Sequence, residues 1–396
     1  MKNTNNVPRL RFPKFTDDWE QREFDKVFLS FPNKNYQLQS TEYYESGKFP
    51  IIDQGKKAII GYSDNKSKVC NKYPSIIFGD HTTELKYVDF PFIVGADGVK
   101  TLSVKDGDTL FQYYNLQVNN VQPTGYNRHF SMLKEISLCV PCLAEQRQIG
   151  TYFRNLDTLI TLHQRKCDKL EEYKKAMLQK IFSQELRFKR EDGTDYSEWS
   201  NKRFANAFTP LNNNTFSRDM LSENGTVLNI HYGDILVRFG EVCDIQTMDI
   251  PKVNTDIDTS RFDELQNGDI VLADTAEDET VGKAIEIYHV GTSKVVSGLH
   301  TMACRPTDKY APKYMGYYIN SPTYHNQLLP FMQGIKVTSI SRRNIADTVV
   351  YYPYDIEEQQ KIADFLSALD EAISYAKQEL DKWKELKKGL LQQMFV

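Results

Sequence analysis

The side chains that could do chemistry are few and do not form a known catalytic pattern. Asp80 is followed by the run Glu84-Leu85-Lys86, whose residue types suit a divalent-metal nuclease site. The spacing is very short for such a site, and a turn followed by a strand explains the same residues. We therefore favour the turn and keep the nuclease as an alternative.

Motifs for other reactions are missing from the sequence. There is no G-x-G, no Pro-Pro and no G-x-x-x-x-G-K-[ST], so we expect neither methyl-donor nor ATP binding. The seven histidines show no metal-ligand spacing, and Cys139 with Cys142 forms a C-x-x-C that has no second pair. The chain has the sequence of a scaffold or a recognition protein, with no cofactor or metal expected on it.

The elements that would position any site include one helical segment that occurs twice. Residues 145–182 and 358–395 align without a gap at an offset of 213 positions. Apolar positions alternate in steps of four and three, as in the heptad seam of a coiled coil. Lys174 and Lys387 interrupt the seam at the same register, and we expect them to be exposed to a partner. The seam residues are Ile149, Phe153, Leu156, Ile160, Leu170, Ile362, Leu366, Leu369, Ile373 and Leu380.

The repeat extends beyond the helix. A lead-in segment precedes each variable block: Leu10-Arg11-Phe12 and Trp19 recur as Leu186-Arg187-Phe188 and Trp199. Short apolar runs between turn residues predict strands, so each block is expected to be a compact α+β domain. The predicted strands include 75–78, 92–94, 136–140, 235–237, 270–272 and 348–352, and stretches near 107–119 and 311–332 are candidate helices. The predicted segments are domain 1 (1–142), helix 1 (143–183), domain 2 (184–354) and helix 2 (355–396).

Each repeated helical segment has 38 residues and is roughly 57 Å long at ~1.5 Å per residue. The link from Phe182 to Trp199 is too short to return the chain to the start of the first helix. We therefore expect an antiparallel coiled coil with one domain at each end and a pseudo-two-fold repeat. The alternative is that each helix packs only on its own block.

Bulk composition sets the class of protein. With 396 residues, 40% hydrophobic and 26% charged, the chain is typical of a globular protein of two or three domains. It has no run of 18 apolar residues, and the polar N-terminus lacks a signal-peptide core, so the cytoplasm is the expected compartment. The net charge of −4 gives no support to nucleic-acid binding.

The sequence nevertheless resembles a known family, the specificity subunits of type I restriction–modification systems. The proline, the acidic–Gln pair and the following Ile at the head of both helices are highly characteristic. The resemblance covers nearly the whole chain and is carried by residues 8–19 (PRLRFPKFTDDW), 78–100, 141–182 (beginning PCLAEQRQIGTYF), 232–242 (YGDILVRFGEV), 297–306 (SGLHTMACRP), 334–345 (GIKVTSISRRNI) and 357–362 (EEQQKI).

This resemblance implies two target-recognition domains on a coiled coil, each recognising one half of a split, asymmetric DNA site. The coiled coil would set the spacer, with half-sites about one helical turn, roughly 34 Å, apart. The chain would be non-catalytic. Two methylation subunits would bring S-adenosylmethionine, and restriction subunits would bring ATP and Mg-dependent cleavage.

Under this resemblance, polar and cationic residues of the variable blocks are candidates for DNA contact, because Lys and Arg suit guanine edges or phosphates and Gln suits adenine. A solvated surface residue explains each of them equally well. The candidates are Gln54, Lys56, Lys57, His81, Thr82, Lys100 and Arg128 in domain 1, and Arg238, Lys283, Gln333, Lys336, Arg342 and Arg343 in domain 2. Tyr126 and Tyr232 are further candidates for stacking. A protein-binding scaffold without DNA recognition is the alternative function.

Overall fold

The structure is a computed structural model that describes residues 6–95, 97–125, 127–334 and 337–396. The chain forms two compact units. Unit 1 comprises the residues up to Lys166 together with Ala376–Val396, and unit 2 comprises Cys167–Tyr375. The predicted segments are therefore not the compact units, because each unit contains a part of both long helices. Lys336 and Tyr126 lie outside the described residues.

Unit 1 is an α+β structure in which all strand pairs among the described residues, except the parallel pair β3–β7, are antiparallel. A four-stranded sheet has the order β2-β8-β5-β6, a second sheet has the order β4-β3-β7, and β1 pairs with β9. The strands are β1 (Glu20–Glu23), β2 (Phe28–Phe31), β3 (Phe49–Ile52), β4 (Gly61–Ser63), β5 (Ser75–Gly79), β6 (Leu85–Val88), β7 (Ile93–Val94), β8 (Val99–Val104) and β9 (Ser137–Val140). The helices are α1 (Phe24–Val27), α2 (Thr109–Val118), α3 (Phe130–Lys134) and the first part of α4 (Leu143–Phe182).

Unit 2 repeats this plan with more strands. A five-stranded sheet has the order β11-β20-β16-β18-β14, a four-stranded sheet has the order β12-β15-β13-β19, and β10 pairs with β22 and β17 with β21. The strands are β10 (Trp199–Arg203), β11 (Phe208–Pro210), β12 (Leu221–Ser222), β13 (Val227–Ile230), β14 (Val242–Asp244), β15 (Lys252–Val253), β16 (Ile270–Ala273), β17 (Thr275–Ala276), β18 (Ala284–Tyr288), β19 (Lys294–Ser297), β20 (Thr301–Pro306), β21 (Thr338–Ser339) and β22 (Val349–Pro353). The helices are the last part of α4, α5 (Phe204–Ala207), α6 (Tyr232–Val237), α7 (Tyr314–Ile319), α8 (Pro322–His325), α9 (Arg342–Ala346) and the first part of α10 (Ile356–Met394).

Most of the predicted strands and both long helices are present, but the strand predicted at 235–237 is wrong. These residues end α6, which His231 caps by accepting the Gly233 N–H at 3.2 Å. Ile235 is fully buried, whereas Val237 is 84% exposed. A strand would place residues two apart on one face, while a helix turns them away from each other. The apolar run at 235–237 is compatible with a strand or a helix, so the sequence alone could not distinguish them.

In unit 1, the parts of α4 and α10 run antiparallel. Asp157 pairs with Lys387 at 2.6 Å, and farther along α4 the His163 ring lies 6.0 Å from the ring of Trp383, earlier in α10. In unit 2, Leu178 shares a core cluster with Leu366. The predicted seam positions Ile149, Phe153, Leu156, Ile362, Leu366, Ile373 and Leu380 are buried, and Ile160, Leu170 and Leu369 are partly buried. No described helix has the length and apolar character needed to cross a membrane.

Candidate nucleic-acid interface

The Glu-Gln pair at the head of each long helix connects that helix to the variable block of its unit. In unit 1, Glu145 is fully buried and accepts two hydrogen bonds from Arg11 of the lead-in segment, at 2.7 and 2.8 Å. In unit 2, Glu358 does the same for Arg187, at 3.1 and 2.9 Å. The hydrogen bond to the glutamate raises the pKa of each guanidinium group, so both arginines stay charged.

The neighbouring glutamine makes the same two bonds in each unit. Gln146 donates to the Pro141 carbonyl at 2.8 Å and accepts the Asp108 N–H at 2.9 Å, just before α2. Gln359 donates to the Pro353 carbonyl at 2.8 Å and accepts the Ala311 N–H at 2.9 Å. Each long helix is thereby tied both to the strand before it and to the helical region of the variable block in its unit.

A third contact is also repeated, and it involves the two seam lysines. In unit 1, Tyr114 of α2 donates to Asp157 at 2.6 Å, and Asp157 pairs with Lys387. In unit 2, Tyr317 of α7 donates to Asp370 at 2.6 Å, and Asp370 pairs with Lys174 at 2.5 Å.

The expectation that the seam lysines are exposed is wrong. Their side chains are only 12% (Lys174) and 18% (Lys387) exposed, because each neutralises an aspartate on the other helix. Lys174 also pairs with Glu241 at 2.7 Å. Burial alone disfavours its charged form, but Glu241 and Asp370 outweigh that effect and raise its pKa.

Each unit has a polar edge at the corresponding end of its main sheet. In unit 1, β5 ends before Asp80, whose N–H donates to the Gly98 carbonyl at 2.7 Å. In unit 2, β16 ends before Asp274, whose N–H donates to the His300 carbonyl at 3.1 Å. We define the polar edge of unit 1 as Asn33, Asp80, His81, Gly98, Lys100 and Arg128, and that of unit 2 as Asn213, Asp274, Thr275, His300 and Arg342.

The polar edge of unit 1 brings together three of the predicted residues. His81, Lys100 and Arg128 line one open cleft of about 460 Å³. The Lys100 ammonium lies 3.5 Å from the carboxylate of Asp80, which is almost fully buried. Two cations and an imidazole around a groove can contact phosphates or base edges.

The remaining predicted residues of unit 1 lie beside this cleft. The side-chain amide of Gln54 accepts the His81 N–H and donates to the Asp97 carbonyl, both at 3.1 Å. Thr82 donates to the Gln54 carbonyl at 2.5 Å. Gln54 and Thr82 therefore shape the loops of the edge. Lys56 and Lys57 are exposed on the loop after Gln54.

Sequence reasoning missed Asn33 as part of this edge. Its side chain donates to the Val99 carbonyl at 2.8 Å and accepts from Thr101 at 2.8 Å. Lys34 and Gln37, from the same turn, also line the cleft. Asn33 lies 66 positions before Val99 in the sequence, and no local sequence pattern indicates that the two residues are in contact. Trp19 and Trp199 are 180 positions apart, and the same offset, which places Asn33 opposite Asn213, could have identified it.

In unit 2, the predicted arginines of α9 are exposed and flank an apolar cleft of about 380 Å³. Arg342 donates to the side chain of Asn213 and, at 3.4 Å, to the Leu211 carbonyl. Asn213 in turn donates to the Gly298 carbonyl at 3.2 Å. Gln333 is also exposed, and its backbone forms a bridge with Ser339. Arg343 follows Arg342 on the same helix.

Two predicted residues of unit 2 have other partners. The Lys283 ammonium donates to the carbonyls of Leu236 and Phe239 at 3.1 and 3.0 Å, at the C-terminal end of α6. Burial lowers its pKa. Arg238 pairs with Asp234 at 3.4 Å and with Asp249 at 3.0 Å. The structure thus gives both cations a role in holding α6.

The nuclease-like residues also have separate partners. Asp80 accepts the Phe130 N–H at 2.9 Å, and Lys86 donates to Asp53 at 3.1 Å. Among the residues that the structure describes, no three His, Cys, Asp or Glu side chains are grouped as a metal site would need.

Comparisons with known proteins point to one family. Residues 16–172 match the family model described as the type I restriction modification DNA specificity domain. The specificity subunit of the type I restriction enzyme EcoR124I/EcoR124II from Escherichia coli is 32% identical over 89 residues. That match spans 22% of this chain and only 22% of the length of that relative.

Solved structures share the fold. The S subunit of a type I restriction–modification system from M. genitalium has a TM-score of 0.62 at 15% identity, over 98% of this chain and 99% of that chain. A chain from a structure on complex assembly and conformational transition of the type I system has a TM-score of 0.55 at 15% identity, over 95% and 97%. The resemblance inferred from the sequence is therefore confirmed. Residues 16–172 match the model of a type I DNA specificity domain, and the chain has the fold of type I specificity subunits.

Proposed function

We propose that this chain is the non-catalytic DNA sequence-specificity subunit of a type I restriction–modification complex. The observation that carries the proposal is the combination of one repeated set of buried contacts with two unlike polar edges. A repeated framework with different exposed residues suits a protein that recognises two different half-sites. Each polar edge would contact one half of a split, asymmetric DNA site.

The partners follow from the chemistry that the chain lacks. Two methylation subunits would dock on the long helices and carry S-adenosylmethionine, and they would flip the target adenine out of the duplex. Restriction subunits would bind ATP and Mg and cleave DNA. The long helices would fix the spacer between the two half-sites.

The acidic balance of the chain is compatible with this function if partner subunits neutralise most phosphates. Phosphate contacts make binding depend steeply on salt, whereas base contacts carry sequence information. Neutralising lysines of this subunit should therefore change the salt dependence of DNA binding by the complex only slightly. A steep loss would show that this subunit itself supplies the phosphate contacts.

Methylome sequencing of cells that express the chain with its methylation subunit tests the function. The expected result is methylated adenine in a bipartite motif with two unlike half-sites and a fixed spacer. Arg128→Ala should alter preference in one half-site and Arg342→Ala in the other. Lys294→Ala, an exposed cation paired with Glu264 in unit 2, is the matched control and should leave the motif unchanged.

The absence of methylated adenines, when all subunits are present, would contradict the proposal. The protein-binding scaffold would then be the remaining alternative function. DNA cleavage by the isolated chain in magnesium would instead support the nuclease alternative. If both arginine variants change the same half-site, the assignment of one half-site to each unit is wrong.

A further inference from the structure

His300 has an unusual backbone for its residue type. Its φ is +52°, in the left-handed region that side chains other than glycine rarely adopt. The equivalent position in unit 1 is Gly98, with φ +87°. The two positions correspond because each carbonyl accepts the N–H of the aspartate that directly follows β5 or β16. Unit 2 therefore keeps a histidine where the same turn in unit 1 has glycine.

The imidazole is held in one orientation. Its Nδ1 lies 3.3 Å from the Asp274 carboxylate and 3.4 Å from the Thr275 hydroxyl. The ring also packs edge-on against Tyr232, with centroids 5.3 Å apart. An ionised carboxylate can only accept a hydrogen bond, so Nδ1 carries the proton in the neutral ring. Nε2 is then the acceptor, on a side chain that is 48% exposed.

The oriented acceptor lies on the polar edge of unit 2, and a chain of hydrogen bonds links the residue after it to the exposed Arg342. Thr301 directly follows His300 and donates to the carbonyl of Gly298. That carbonyl also accepts from Asn213, which holds the Arg342 side chain. An acceptor of this kind complements an exocyclic amino group, which adenine and cytosine present in the major groove. Residues in rarely populated backbone conformations concentrate at binding sites, where the side chain is used.

We propose that His300, oriented by Asp274, recognises one base pair of the half-site bound by unit 2, by accepting a hydrogen bond from the amino group of adenine or cytosine. This inference rests on the proposed function. It assigns a specificity-determining role to a residue that sequence reasoning did not select.

The chain provides a matched control in His289. Its φ is also +52°, its Nδ1 lies 3.0 Å from Asp244, and it is likewise 48% exposed. It follows the C-terminal end of β18, whereas His300 precedes β20. Because β18 and β20 both run antiparallel to β16, these two histidines lie at opposite ends of the sheet. His289 therefore has the same local chemistry away from the polar edge.

The experiment compares methylomes of cells expressing the methylation subunit with the parent chain, His300→Gly or His289→Gly. Glycine adopts positive φ readily, so both substitutions should keep the fold, which thermal melting of the purified complex verifies. His300→Gly should lower discrimination at one base pair of one half-site by about 5- to 100-fold. The other half-site and the spacer should not change, and His289→Gly should give the parent motif.

A His300→Gly motif identical to that of the parent overturns the inference. So does a His289→Gly variant that relaxes the same base pair. If His300→Gly abolishes methylation, the His300→Asn variant is tested instead, because asparagine also tolerates this backbone conformation. An altered preference at one base pair then supports the inference, and a motif identical to that of the parent overturns it. If cells with the parent chain show no bipartite motif, the proposed function fails and this inference fails with it. If the parent chain gives a bipartite motif that His300→Gly leaves unchanged, only this inference fails.

Discussion

The two units use the same buried contacts and differ at their exposed edges. The Arg11–Glu145 pair of unit 1 and the Arg187–Glu358 pair of unit 2 have the same residue types, and both glutamates are fully buried. At the polar edges, by contrast, Gly98 of unit 1 corresponds to His300 of unit 2. Buried polar groups need partners of fixed geometry, so their identities are constrained. Exposed residues are free to differ, which suits recognition of two different sequences.

Breaking the buried Arg–Glu pair should have the largest effect in either unit. Glu145→Ala and Glu358→Ala each leave a guanidinium group without its carboxylate in a mostly buried position. We expect each to lower the free energy of unfolding by about 3–5 kcal/mol. Urea unfolding of the full chain measures this. Unequal losses in the two units would show that the framework is not equivalent.

The second prediction concerns Glu286, which only unit 2 has. Sheet register places Tyr87 at the equivalent position of unit 1. Burial raises the pKa of Glu286 to about 7, although it accepts N–H groups of Gly316 and Lys313. The folded chain thus keeps this proton after the unfolded chain has released it near the ordinary value of 4.5.

Stability should therefore fall as the pH rises from about 4.5 to 7, by on the order of 3 kcal/mol from this group. Glu286→Gln should remove that part of the pH dependence, measured by urea unfolding across the range. The exposed Glu264→Gln is the control and should leave the slope unchanged. A slope that survives in Glu286→Gln would assign the proton uptake to another group.

The third prediction sharpens the difference between the seam lysines. In the described part of the chain, Lys387 pairs with one acid, Asp157, whereas Lys174 has both Asp370 and Glu241. Asp157→Asn should cost about 2 kcal/mol of unfolding free energy and Asp370→Asn about half of that. The double variant Asp370→Asn with Glu241→Gln should reach the cost of Asp157→Asn. Equal costs for the single variants would mean that Glu241 does not compensate.

The smallest effect is expected at an exposed pair. Arg203 and Asp347 lie 2.7 Å apart, but their side chains are 64% and 54% exposed. Solvent screens such a pair, so Arg203→Ala should change the free energy of unfolding by less than about 1 kcal/mol. Thermal melting measures this, and a larger loss would indicate that the β10–β22 end of unit 2 depends on it.

Much of the framework could be predicted from the sequence. Heptad spacing is a local property, so the positions of Ile149, Phe153 and Leu366 along the chain were enough to identify the seam. The proline and Glu-Gln pair at each helix head pointed to the family. The sequence did not show why that pair recurs, because the partners of Glu145 and Glu358 lie 134 and 171 positions away.

The candidate site was only partly predictable. Residue type selected Lys100, Arg128 and Arg342, which the structure places on the polar edges. The same criterion selected Lys283, whose ammonium caps the end of α6, since residue type does not tell an exposed cation from a satisfied one. It passed over His300, although this residue lies within the segment 297–306 that carries the family resemblance.

The sequence by itself thus determined the repeat, the long helices and the family resemblance, because these depend on spacing along the chain. Only the tertiary structure decided which side chains meet. Sheet register places Asp274 beside His300, and helix pairing within each unit buries Lys174 and Lys387. Such contacts depend on strand pairing and loop conformation between residues that are far apart in the sequence, and the local pattern of residues does not determine them.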